Sequence, residues 1–169
     1  MIAIKIVAMP EALIRMRERG PEIIAVLTQK MNALMIALQS KVVGQTIPQF
    51  FKSAPNISGS VQLNPAHVEG TKIVGSVQAG GPRTTKITLH SGAEVDYAAV
   101  QEYGVPHGWT ILPFEKKALA FLLDGKRVIA KSVFHPPLAA RPFMRSALEQ
   151  MTPSITDGLT RAFKEALGG

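Results

Sequence analysis

The sequence predicts an α+β fold: a mainly antiparallel sheet packed by a long N-terminal helix and a C-terminal helix, with a short helix near 96–103. Three observations predict it. Ile24, Leu27, Met31, Leu34, Leu38 and Val42 recur at steps of three and four, the period of one helix face. Phe143, Ala147, Met151, Ile155, Leu159 and Phe163 recur every four residues. Between these runs, β-branched stretches alternate with Gly, Pro and Asp-Gly turn signals. A chain of 169 residues fits one domain, 1–169, and is long enough to bury a core without disulfides or metal.

Residues 2–8 alternate and are β-branched, which predicts a strand. The stretch lacks a basic segment before its apolar run, so it does not read as a signal peptide. Glu11–Arg19 reads as a helix that Gly20-Pro21 interrupts. Pro21 then suits the first position of the long helix, where its missing N–H is not needed. That helix is expected to end near Gly44, giving a length of roughly 35 Å at ~1.5 Å per residue. Gln29, Lys30, Asn32, Gln39 and Lys41 make it a poor membrane span.

Residues 45–65 hold Pro48, Pro55, Gly59 and Pro65 and read as loop, with Phe50 and Phe51 anchoring it to the core. Residues 71–77 and 84–89 read as a strand pair turning at Gly80-Gly81-Pro82. Asp96 suits the N-cap of a short helix that Gly104 ends, with Tyr97, Val100 and Tyr103 on its packing face. Residues 105–117 read as an irregular loop carrying Trp109. Residues 118–123 and 127–134 flank Asp124-Gly125, a strong hairpin signal because both residues tolerate positive φ. Pro142 opens the C-terminal helix, and Thr152-Pro153 marks either a kink or the start of a separate last helix.

Tests for chemistry come out negative. With no cysteine, there are no thiolate metal sites, disulfides or cysteine nucleophiles. The histidines, His67, His90, His107 and His135, lack the spacing of a helical metal motif. His90, Ser91 and Asp96 have no nucleophile elbow beside them, and Gly75–Pro82 puts proline where a phosphate loop needs Lys and Ser or Thr. Asp96 reads as a cap, and Glu102 as an exposed helix residue or a buried ion-pair partner. No catalytic, cofactor-binding or metal-ligating residue is assigned.

Charge is more informative. Net charge is +7, and Lys116–Arg145 holds seven bases against one acid, Asp124. Such a window is either a solvated basic face or a surface for an acidic partner, nucleic acid or protein. The phenylalanines interleaved with these bases read as core, not as stacking platforms.

Two segments carry more than local structure: Asp96-Tyr97-Ala98-Ala99-Val100-Gln101-Glu102-Tyr103-Gly104, and His135-Pro136 leading to Arg141-Pro142-Phe143-Met144-Arg145-Ser146-Ala147-Leu148. Together with the long helix, Ala54–Val61 and Ala118–Phe121, they resemble the tail-completion family of long-tailed DNA bacteriophages, which are neck, head–tail joining or minor tail components. The likeness covers nearly the whole chain. Pro137 departs from it, because the family often has glycine after His-Pro. The resemblance implies helices on an antiparallel sheet and no catalysis. It also implies a hexameric ring at the head-proximal end of the tail tube, docked to the head–tail connector, with DNA passing through its lumen. Localisation would be the virion neck after assembly in the host cytoplasm, with no membrane partner. Candidate assembly-interface residues are Trp109, Arg141, Phe143 and Arg145. The alternative is a basic nucleic-acid-binding module.

Overall fold

The long helix is observed from Pro21. The computed structural model describes residues 2–7, 21–88, 94–113 and 117–166. The expected helix at 11–19 lies outside them. Helix α1, Pro21–Lys41, buries Ile23, Leu27, Met31, Met35 and Leu38, with Ile24 and Leu34 half-buried beside them. It does not stop at Gly44. A π-helical turn, Val42–Thr46, joins it to α2, Ile47–Phe50. The Thr46 hydroxyl donates to the Val42 carbonyl at 3.2 Å, and the Ile47 N–H bonds to the same oxygen. Both contacts hold the turn wide.

Helix α3, Pro55–Gly59, follows. The stretch 45–59, expected as loop, is therefore largely helical. Pro48 and Pro55 lie within the first two positions of their helices, where proline starts a helix instead of breaking one. Phe50 and Phe51 do pack against the core, as expected.

The main sheet has the order β1-β3-β2, with β1 at Ile2–Val7, β2 at Gln62–Glu69 and β3 at Lys72–Ala79, all antiparallel. The expected pairing of 71–77 with 84–89 is not formed. Strand β3 instead turns back on β2 through Gly70-Thr71. Strand β4, Thr85–Thr88, pairs with β5, Glu94–Asp96. Pro65 concealed β2, because proline cannot donate to a ladder. The strand tolerates it at a register shift between Asn64 and His67. The Ala66 N–H there finds the Asn32 side-chain oxygen on α1 at 2.6 Å.

Helix α4 spans Tyr97–Tyr103. Residues 105–113 are not all irregular, because β6, Trp109–Ile111, pairs with β9, Val133–His135. Strands β7, Leu119–Leu123, and β8, Lys126–Ala130, form the expected hairpin. Its turn residues Asp124 and Gly125 have φ of 51° and 75°, as a two-residue hairpin turn of this kind requires. Helix α5, Phe143–Ala166, runs through Pro153 as one element.

Two clusters form the core. Met35, Leu38 and Val42 meet Val77, Ala79, Phe143, Met144 and Ala147 in the first. Ile23, Leu27 and Met31 meet Ala66, Ile73 and Ala162 in the second. Helices α1 and α5 therefore run antiparallel on one face of the sheet. By length and composition, Pro21–Phe50 is apolar enough to cross a membrane. In this fold one side of it packs on the sheet and α5, while Val26, Ile36 and Val43 stay exposed.

Candidate functional site: the joint between the two signatures

A helix exposes four N–H groups at its start, and α5 has little of its own to satisfy them. Arg141-Pro142 precedes it where a Ser, Thr, Asp or Asn cap would stand, and its first turn holds no acid. The cap comes from another helix. Glu102 of α4 accepts the Met144 N–H through Oε2 and the Arg145 N–H through Oε1, both at 2.9 Å. The Phe143 N–H bonds to the Arg141 carbonyl at 2.8 Å, and the Ser146 N–H to the Pro142 carbonyl at 2.9 Å.

Three further contacts close the same joint. The Arg141 N–H donates to the Gln101 carbonyl at 2.7 Å. Val105 and Leu138 exchange two backbone bonds, at 2.8 and 3.0 Å. Gly104 lies against 138–140 with φ of 71°. The two sequence signatures are therefore halves of one latch.

Asp96 holds the other end of α4. It accepts the Ala98 N–H at 3.0 Å, the Thr84 hydroxyl at 2.7 Å and the Gly81 N–H at 3.2 Å. Burial acts to raise its carboxyl pKa, but the bonds from Thr84, Gly81 and Ala98 outweigh it and hold the group below the ordinary 3.8. A lowered folded-state pKa adds stability above the unfolded value, and this is lost as pH falls through the folded one. Asp96→Asn should therefore be less stable than the parent chain at neutral pH. The two should converge as pH drops below 3.8. Denaturant midpoints across that range check this; a constant gap would sink it.

The latch revises several sequence readings. Glu102 is 2% exposed and a cap, neither a surface residue nor an ion-pair partner among the described residues. The buried face of α4 is Ala98, Gln101 and Glu102, whereas Tyr97 and Tyr103 are 41% and 61% exposed. Glu102 faces in because it serves α5.

The four candidate interface residues separate. Phe143 is fully buried, with its ring 6.2 Å from Phe51 edge-on, so it belongs to the core and not to a surface. Arg141 and Arg145 are both exposed. The Arg141 guanidinium lies 5.5 Å from the Phe51 ring, and that of Arg145 lies 6.0 Å from Tyr103. Such contacts contribute about 0.5–1 kcal/mol each at exposed sites and hold both arginines in defined positions. Trp109 stands apart, in β6 opposite His135. Its side chain lies outside the described residues.

Gln101, Glu102 and Gly104 were missed as latch residues, although one signal was present. A carboxylate at the C-terminal end of a helix opposes its own helix dipole, so Glu102 pointed to a different helix's start.

Among the described residues, no group of three or more His, Asp and Glu could hold a metal ion. A solvent-open depression is lined by Lys5, Glu69, Gly70, Thr71 and Lys72, and an exposed ion pair, Lys5–Glu69 at 3.8 Å, spans it. It contains none of the latch residues. Comparison of the chain with protein-family models, curated proteins and solved structures gives no match.

Proposed function

We propose that this chain is a structural virion protein of a tailed phage. In this reading it is a tail-completion or neck protein that forms a ring at the head-proximal end of the tail tube and joins it to the head connector. It catalyses nothing and uses no cofactor. Its partners are other copies of itself, the tube protein and the connector, with DNA passing through the lumen without sequence-specific contacts. It assembles in the host cytoplasm, away from any membrane, and ends in the virion neck.

The observation that carries the reading is the convergence of the two signatures. The segments that resemble the tail-completion family lie far apart in sequence yet close into one joint, at Glu102–Met144/Arg145, Gln101–Arg141 and Val105–Leu138. Their residue types are accounted for by building a rigid corner, which is what an assembly part requires. Exposed Arg141 and Arg145 stand on that corner, held by aromatic rings, and suit an acidic partner surface.

Negative-stain imaging of the purified protein, with and without tail tubes, tests the proposal. Rings on tube ends are the expected result. Arg141→Glu should fold normally and lose head–tail joining. Unchanged ring formation and joining would remove Arg141 from the interface.

A second reading rests on the exposure of Lys117, Lys126, Arg127, Lys131, Arg141 and Arg145. A basic nucleic-acid-binding module would use them on phosphates. It predicts tight DNA binding by the isolated chain that weakens steeply with salt.

A further inference from the structure

A two-stranded ribbon stands nearly free on this fold. The β7–β8 hairpin has no third strand, and no other helix or strand of the described residues packs extensively on it. None of the described side chains from Tyr103 to Pro142 is fully buried. The segment adds nothing to the core, so its side chains are open to a partner outside the chain.

Its bases are gathered on one strand but point to both faces. Lys126 and Arg127 open β8 and Lys131 follows it, while β7 carries no charge. Cross-strand pairing sets Lys126 opposite Leu123 on one face and Arg127 opposite Leu122 on the other. Each leucine lies next to an aliphatic stem, which leaves the charged head in water. These three bases, and Lys117 before β7, are exposed and have no ion-pair partner among the described residues. Asp124, in the turn, is the one acid between Lys117 and Lys131.

This distribution selects the partner. A second copy suits it poorly, because the chain carries +7 and no three of its described acids and histidines stand together as an ion site would need. A bilayer surface takes an element with apolar groups on one side and bases on the other. Here each face of the ribbon mixes the two. A flat acidic protein surface would meet one face and leave the base of the other unpaired. Duplex DNA carries phosphates on both walls of its major groove, which is about 12 Å wide and admits a two-stranded ribbon.

We propose that the β7–β8 hairpin is a DNA-contacting arm, with Lys126, Arg127 and Lys131 on backbone phosphates of duplex DNA. Phosphate contacts carry no sequence information, so the arm holds any sequence alike. The exposed bases then divide: the arm serves DNA, and Arg141 and Arg145 serve the protein partner. The proposal rests on the neck reading for what brings DNA to the arm, but not for the contact itself. One copy neutralises about three phosphates and holds DNA weakly, whereas several copies around one duplex multiply the hold.

Fluorescence anisotropy of a labelled duplex of about 30 base pairs, titrated with the full chain between about 50 and 200 mM salt, tests this. Two unrelated sequences should bind equally. The logarithm of the affinity should fall with that of the salt concentration at a slope of about −3, since each phosphate contributes roughly −0.9. Lys126→Gln, Arg127→Gln and Lys131→Gln together should weaken binding at least about tenfold at the lowest salt and remove most of the slope. Circular dichroism and the unfolding midpoint should not change. Arg141→Gln with Arg145→Gln should leave affinity and slope as they were. Lys52→Gln, Lys72→Gln and Lys164→Gln, all at exposed positions elsewhere, control for net charge, and an equal loss there would overturn the proposal. No binding at the lowest salt, loss through the Arg141 and Arg145 changes, or binding to phosphatidylserine vesicles but not to duplex would also overturn it. Rings on tail tubes without arm-dependent DNA binding would sink the arm and spare the neck reading. Arm-dependent binding with no rings on tubes would do the reverse.

Discussion

Glu102→Ala is expected to lower the unfolding free energy by about 3 kcal/mol, since hydrogen bonds to a charged acceptor contribute about 1.5–3 kcal/mol each. The substitution removes both oxygens that receive the Met144 and Arg145 N–H groups. Met144 is 1% exposed, so water cannot readily replace the lost acceptor there. The start of α5 also loses the negative group that its dipole favours. Glu102→Gln keeps one acceptor oxygen and should lose roughly half as much. Urea denaturation at constant slope measures both. A loss within about 0.5 kcal/mol for Glu102→Ala, the range of ordinary surface substitutions, would mean the cap contributes little.

Gly104→Ala is expected to be comparably severe, and Gly125→Ala provides the control. Both glycines have positive φ, 71° and 75°. At Gly125 an added Cβ meets nothing within 4 Å, so only backbone strain applies, about 1 kcal/mol. At Gly104, φ is 71° and ψ −177°, a region essentially reserved for glycine. A Cβ there would also stand 2.6 Å from the Leu138 carbonyl oxygen and 2.7 Å from the Ala140 nitrogen. Both neighbours are backbone in the latch and cannot swing aside. The Gly104 variant should therefore lose at least about 2 kcal/mol more than the Gly125 variant. Equal losses would show that the close approach at 138–140 yields easily.

What was legible in the sequence was local. The α1 stripe, the Asp124-Gly125 hairpin, the α5 period and the Asp96 cap each depend on residues within a few positions of one another, so spacing revealed them. Strand β2 was not legible, because Pro65 signals a break and the contact that rescues it, Asn32 to Ala66, crosses 34 positions. The helices at 47–50 and 55–59 were hidden by prolines that read as breakers until their first-turn positions were visible. The latch was half-legible. Both signatures stood out, but a carboxylate capping a helix 42 residues away leaves no periodic trace. The consequence was that Glu102 read as an exposed helix residue or a buried ion-pair partner and Phe143 as interface, whereas Glu102 is a buried cap and Phe143 is core.

The Val105–Leu138 pair also determines how this chain can change. The chain leaves the body of the fold at Val105 and returns at Leu138, with both ends fastened to each other by two backbone bonds. Everything between them, the hairpin included, is an excursion on a closed base. Lengthening such an excursion is cheap, about 0.6 kcal/mol per doubling of a flexible loop. Its tip can therefore be extended, shortened or rewritten while α1, α5 and the main sheet stay as they are. Change is in this way accommodated beyond the clasp, and constraint is concentrated at it.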